Sequence, residues 1–373
     1  MEDMFNFIVE HFIGIYHDKI DKKLTLQKHY ETSNIDELKL LLGTYILVKD
    51  DRELLDEVDI EIKDKDKIIN YLIEDTNDLY YNILTTVDDN FIKQLSQLIE
   101  ENGYLSLEKE ELFSKYTVGF LMTLKKYKMA QINCNLKKNI IKVQIPDCLI
   151  NTISRLLEDP KCNKKRKENN IITSATRKIL GVYGVLTMEK LTEIINEVFI
   201  KVTSKRLGNI LSRLMITDEQ INIFKQDNLT LVAGLEFSEK DEAFEFYESL
   251  SDGDYKIFTK EEYEELNEGY YHQKFSAYEN LINYVEETWN LDEEELEDFE
   301  ELFILDYLNS YKYDVELAND NLMEKLKKHF NNVTLQDKMV IKKNLVTLGK
   351  LYPNFYLKGY AKKEENIKKI GIN

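Results

Sequence analysis

Three cysteines and five histidines are the side chains of this 373-residue chain best suited to nucleophilic or metal chemistry, and their spacing supports neither. Cys134, Cys148 and Cys162 stand fourteen residues apart, without the close pairs that grip zinc. Their odd number gives no disulfide framework in a chain large enough to fold without one, so a reducing cytoplasmic setting is expected. His11 and His17 are six residues apart, and His29, His272 and His329 are dispersed. His272, in GYYHQKF beside Tyr270 and Tyr271, has the best local setting for recognition. Acid or base catalysis, however, needs a second group placed against it. No Walker loop, dinucleotide fingerprint, zinc-protease signature, serine elbow or EF-hand loop occurs. A nonenzymatic protein is therefore expected, with no catalytic residue, cofactor or metal.

Basic and polar residues suggest a different chemistry. Lys125, Lys126 and Lys128 fall at the end of one expected helix, and Lys137 and Lys138 in a turn shortly after it. Lysines on two neighbouring elements can position a protein on phosphates. In a second region Lys205, Arg206, Asn209, Ser212 and Arg213 recur at three, four and seven residues, on the side of a helix away from Leu207, Ile210, Leu211 and Leu214. Arg and Asn can read base edges in a major groove, and Lys and Ser can contact phosphate. The same residue types also make an ordinary solvated helix.

The elements that would carry these residues follow from periodicity. FIKQLSQLIEENG reads as a helix stopped at Gly103, YLSLEKEELF as a helix capped by Ser106, and TVGFLMTLKKYKM as a third helix with Phe120, Leu124 and Tyr127 on one side. AQINCNLKKNIIKVQIP then alternates as two strands about the turn 136–139. A looser copy of this order follows: a helix in ITSATRKILGVYG, one capped by Thr187, one capped by Thr203 or Ser204, and a hairpin turning at 225–228. Three helices and a ribbon are the order of a winged helix-turn-helix. The expected fold is therefore α+β and mainly helical, with two winged-helix-like modules and a C-terminal helical lobe. The expected divisions are an N-terminal helical region at 1–90, a first module at 91–150, a basic linker at 151–170, a second module at 171–234, an acidic helical domain at 235–352 and a basic tail at 353–373.

Charge is unevenly spread within a net −19. Residues 1–100 carry −12 and 231–330 carry −21, whereas 101–170 carry +6. A positive middle could meet nucleic acid locally, or dock on the chain's own acidic parts. The run KCNKKRK at 161–167, between Pro160 and ENN, reads as a solvated linker, with contact to phosphate or protein as the alternative. The run DEEELEDFEE at 292–301 reads as the wet face of a helix whose other side holds Leu296, Phe299 and Phe303. The first residues, MEDMFNFIVEHFIGIY, do not read as a secretory signal, and no apolar run is long enough to span a bilayer.

VYGVLTMEKLTEIINEVF, followed by YKIFTKEEYEELNEGYYHQKFSAYENLINYVEE and an acidic helical region, resembles a family of uncharacterised proteins from low-GC Gram-positive bacteria. Many members of that family end in a SEC-C zinc motif. This chain has no cysteine after Cys162, so the zinc site does not transfer. The resemblance implies no enzyme class. The expected function is nonenzymatic nucleic-acid binding or regulation, with DNA ahead of RNA as ligand and a protein partner for the acidic lobe. The alternatives are a protein-interaction scaffold using the winged units structurally, and an enzyme whose site is assembled from dispersed residues.

Overall fold

The computed structural model describes residues 18–49, 64–108, 111, 116–135, 138, 140–214, 221–312, 314–329 and 334–362. They divide into two compact units interlaced in sequence: residues 1–173 with 205–219, and residues 174–204 with 220–373.

The first unit opens with helices α1 (Leu26–Glu31), α2 (Ile35–Lys49), α3 (Lys65–Glu74) and α4 (Thr76–Leu84). α5 (Asp89–Glu100) follows, with its first turn capped by Asp88, and leads into strand β1 (Tyr104–Glu108). α6 (Val118–Lys126) begins where the Thr117 hydroxyl accepts from the Phe120 amide, satisfying a donor that has no partner within the helix. The hairpin of β2 (Gln131–Asn135) and β3 (Ile140–Gln144) then joins β1 in an antiparallel sheet ordered β1-β3-β2. α7 (Asp147–Glu158) and the first part of α8 (Pro160–Tyr183) close the unit. Its core runs from Tyr30 through Leu72, Tyr80, Leu98, Phe120, Ile132 and Val143 to Cys162. α10 (Ser204–Leu214) belongs to this unit from Lys205 onward.

The second unit contains the end of α8, strand β4 (Val185–Thr187), α9 (Met188–Val198) capped by Thr187, and the hairpin β5 (Asn222–Gln226) and β6 (Leu229–Ala233). Its sheet, ordered β4-β6-β5, is also antiparallel. Next come α11 (Lys240–Glu248) and α12 (Lys260–Glu268), the latter closed by a capping box at Thr259 and Glu262 and ended by Gly269 at φ 82°. A short 3₁₀ turn (Tyr271–Lys274) leads to α13 (Ser276–Trp289). α14 (Glu293–Phe299) and α15 (Asp306–Tyr311) are joined through a π-helical turn at Glu300–Leu305. α16 (Val315–His329) and α17 (Leu335–Leu351) complete the lobe, where Leu281, Val285, Ile341, Leu345 and Leu348 are buried.

The two sheets share one construction. A helix leads, at once or through two residues, to a left-handed glycine, Gly184 at φ 72° or Gly103 at φ 67°, and the first strand begins at the next residue. The Gly103 carbonyl accepts from the Ile145 amide at 2.7 Å, and that of Gly184 from the Gly234 amide at 2.9 Å. In each case the donor directly follows the third strand. Tyr104 and Gln131 both pair with Gln144 in one sheet, and Val185 and Asn222 both pair with Ala233 in the other.

Four expectations are corrected. Tyr104–Glu108 is a strand, not the start of a helix, because pairing with β3 buries Leu105 and half-buries Leu107 on alternate positions. Residues 161–167 are helical, not a linker: Cys162 and Arg166 are buried one turn apart, and Arg166 Nε reaches Asp89 at 3.2 Å. The second module's first helix accordingly starts at Pro160 instead of near 171. Residues 353–362 are not a tail, since Phe355 lies in the core with Val185, Leu231 and Phe246; residues 363–373 lie outside the described part, as do residues 1–17. The two hairpins are present, and residues 235–352 are mainly helical as expected.

Candidate nucleic-acid interface

In the first unit, the lysines expected to meet phosphate are largely engaged by the chain's own carboxylates. Lys125 Nζ lies 2.6 Å from both oxygens of Asp18. Asp18 in turn docks on the open edge of β2, its Oδ2 accepting from the Ile132 amide at 3.0 Å. Lys126 is half-buried. Lys128 occupies the left-handed region at φ 50°, which turns its side chain inward. It is 3% exposed, with Nζ 3.4 Å from Glu37 Oε2. Burial, followed by the Lys125 charge, holds its ammonium below the usual lysine range, with Glu37 and Asp18 opposing. The Lys128 carbonyl accepts from His29 Nε2 at 2.8 Å and from the Tyr80 hydroxyl at 2.9 Å. Lys128 is therefore part of the core and is withdrawn as a groove-facing residue. Lys137 lies outside the described residues, while Lys138 in the hairpin turn and Lys142 on β3 are exposed.

On α10 the sequence-expected face divides. Lys205 is exposed, and Arg206, Asn209 and Ser212 are half-buried. Arg206 Nη2 lies 2.9 Å from Glu168 Oε2 and 3.0 Å from Asn169 Oδ1. Arg213 is only 5% exposed and is likewise withdrawn from the solvated face; its carbonyl accepts from the Tyr127 hydroxyl at 3.4 Å. Leu207, Ile210, Leu211 and Leu214 are buried as the stripe requires. With Arg213 buried as well, this helix is enclosed over a wider arc than its leucines indicate.

Further basic residues lie on α8. Lys161, Lys164 and Lys167 are exposed at three-residue intervals, while Lys165 is half-buried with Nζ 5.3 Å from the centre of the Tyr81 ring. Reading the run KCNKKRK in helical phase separates these sets, a signal hidden when the run is treated as a linker.

In the second unit, His272 forms a compact polar cluster. Its Nε2 lies 2.9 Å from Glu300 Oε1, which also accepts from Gln273 Nε2 at 2.9 Å, and Tyr278 donates to Glu300 Oε2 at 2.8 Å. Burial pushes the Glu300 carboxyl up, but the hydrogen bonds from His272, Gln273 and Tyr278 together hold it below the usual range. The imidazole is 0% exposed, so a solvent-borne substrate does not reach it here. All three cysteine thiols are free; Cys134 and Cys162 are buried. Burial raises all three thiols, the reverse of nucleophile activation. Among the described residues no group of histidine, cysteine, aspartate and glutamate is placed to hold a metal, and no helix is long and apolar enough to cross a membrane.

Comparison with family models, curated proteins and solved structures returned no match to this chain.

Proposed function

We propose that this chain is a nonenzymatic nucleic-acid-binding or regulatory protein built on two winged-helix-like units. The observation that carries the reading is the twice-repeated sheet. In each copy a helix leads through a left-handed glycine into a first strand, which pairs with the far strand of a later hairpin, and another helix directly precedes that hairpin. In chain order this is how winged-helix proteins place a recognition helix beside a wing, although in the second copy α10 groups with the first unit and its hairpin with the second. B-form DNA ranks ahead of RNA because its major groove admits a helix, whereas that of an RNA duplex is too narrow.

A specific observation favours the rival reading of a protein-interaction scaffold with structural winged units. Lys125, Lys128 and Arg166 pair with Asp18, Glu37 and Asp89. The acidic N-terminal segment thus neutralises part of the basic middle. Within the first helix-and-hairpin module, phosphate contact then falls to the exposed cations of the hairpin, Lys138 and Lys142.

The two readings separate in a binding titration of the full chain and of a Lys138→Gln/Lys142→Gln variant against duplex and single-stranded DNA and RNA at two salt concentrations. The nucleic-acid reading expects several-fold weaker binding by the variant and a logarithmic salt slope smaller by about 1–2. Parent and variant with equal affinity and slope would remove the wing from the interface. A parent that binds none of these polymers at low salt would leave the scaffold reading.

A further inference from the structure

Arg213 has an unusual setting within the first unit. It carries a permanent charge yet the residue is only 5% exposed, its buried Nε has no hydrogen-bond partner, and it makes no ion pair with a described carboxylate. Taking an unpaired cation out of water is strongly unfavourable. Buried polar groups in native proteins almost always have partners, and an exception calls for a cause such as strain, a chemical role or a bound water or ion.

Two further cations approach it. Arg206 precedes Arg213 by seven residues, two turns along one face of α10. Its bonds to Glu168 and Asn169 fix that face against α8. Lys165 precedes Glu168 and Asn169 by three and four residues, on the same face of α8. Asn169 is itself anchored, donating to the Thr85 carbonyl at 2.8 Å. Burial lowers the affinity of Lys165 for its proton, and the positive charges of Arg213 and then Arg206 lower it further. Three cations therefore converge, with Glu168 among them in the described residues.

We propose that Lys165, Arg206 and Arg213 form an oxyanion site between α8 and α10 whose ligand is a phosphate group. A phosphate oxygen can accept from the Nε that has no partner. Arginine suits this task because its fixed fork matches phosphate geometry. The site lies in one unit and does not require the winged units to bind nucleic acid. Its phosphate has two chemical sources, the free ion or the diester of a polynucleotide.

The test uses the full chain, titrated calorimetrically with inorganic phosphate and, separately, with a short DNA strand, with sodium chloride holding ionic strength constant. Thermal unfolding is followed in parallel. Saturable phosphate binding is expected, with a rise in melting temperature that chloride does not give. Arg213→Met should bind at least tenfold more weakly while being no less stable than the parent without phosphate, because it removes a buried unpaired charge. Lys165→Gln, altering a less buried member, should weaken binding several-fold and decides the matter if the methionine variant fails to fold. Phosphate competing with the DNA strand would assign the diester as a source, and phosphate binding alone would assign the free ion. Lys138→Gln/Lys142→Gln should affect only the DNA titration, so failure of the winged-helix reading leaves a distinct signature. Absence of saturable binding by either ligand, or unchanged affinity in a folded variant, overturns the proposal.

Discussion

His29 shows how a single buried side chain couples this fold to pH. It is 1% exposed and donates from Nε2 to the Lys128 carbonyl, leaving Nδ1 without a partner. Protonation would place a second N–H where nothing accepts it. Burial consequently lowers its pKa from 6.5 to about 4, although the Lys128 carbonyl opposes the shift. Because the folded value is depressed, the unfolded chain takes up this proton first. The stabilisation is complete above pH 6.5 and is lost as pH falls toward 4, amounting to about 2 kcal/mol by pH 5. Denaturant unfolding of the first unit at pH 7 and pH 5 should show that loss in the parent. In His29→Gln, which retains a donor for the carbonyl but does not titrate, the difference between the two pH values should shrink by about the same amount. Equal pH dependence in both proteins would mean that His29 is not the group responsible.

At the scale of elements, the two glycines that open the sheets make the sharpest test of their common construction. An alanine Cβ at Gly103 would lie 2.8 Å from Ile150 Cδ1, and one at Gly184 2.8 Å from the Phe237 ring and 3.0 Å from that of Phe355. Both positions have positive φ. Gly103→Ala and Gly184→Ala should each cost about 2–4 kcal/mol, combining left-handed strain with overpacking. Gly253→Ala, also at positive φ but with nothing within 4 Å, should cost only about 1–2 kcal/mol. Thermal unfolding of the three variants checks the ranking. Elements with a clear apolar period, such as α6 with Phe120 and Leu124 or α10 with its leucines, were legible from sequence. β4 was not, because three residues are too few to establish alternation. The first half of α8 was hidden for another reason. Its buried positions up to Ile171 are Cys162, Arg166 and Asn169, so two of the three are satisfied by hydrogen bonds or an ion pair instead of an apolar stripe, which starts only at Ile172 and Ala175. The basic residues of the candidate interface were legible as types. Their burial was not, because it depends on partners such as Asp18 and Glu37, which lie 107 and 91 positions from Lys125 and Lys128 respectively.

Across the whole molecule, sequence order and spatial order part company. Periodicity assigns α10 to the same run of elements as α9 and the β5–β6 hairpin, yet from Lys205 to Glu219 the chain belongs to the first unit. That segment brings Leu207, Ile210, Leu211 and Leu214, all at most 5% exposed, together with Arg206 on Glu168 and Arg213 under the Tyr127 hydroxyl. The first unit should therefore need a piece of chain that follows the first part of the second unit. Two shortened proteins isolate that need: one ending at residue 203, the other at residue 219. Both carry the same fragment of the second unit, so its exposure affects them alike and their difference reports residues 204–219. Losing four buried apolar side chains should cost the shorter protein roughly 4 kcal/mol or more. Amide hydrogen exchange should be faster in α6 and the first half of α8 of the protein ending at 203 than in the one ending at 219. Equal protection in those two helices would show that the first unit is complete without α10, returning that helix to the module that sequence order assigns it.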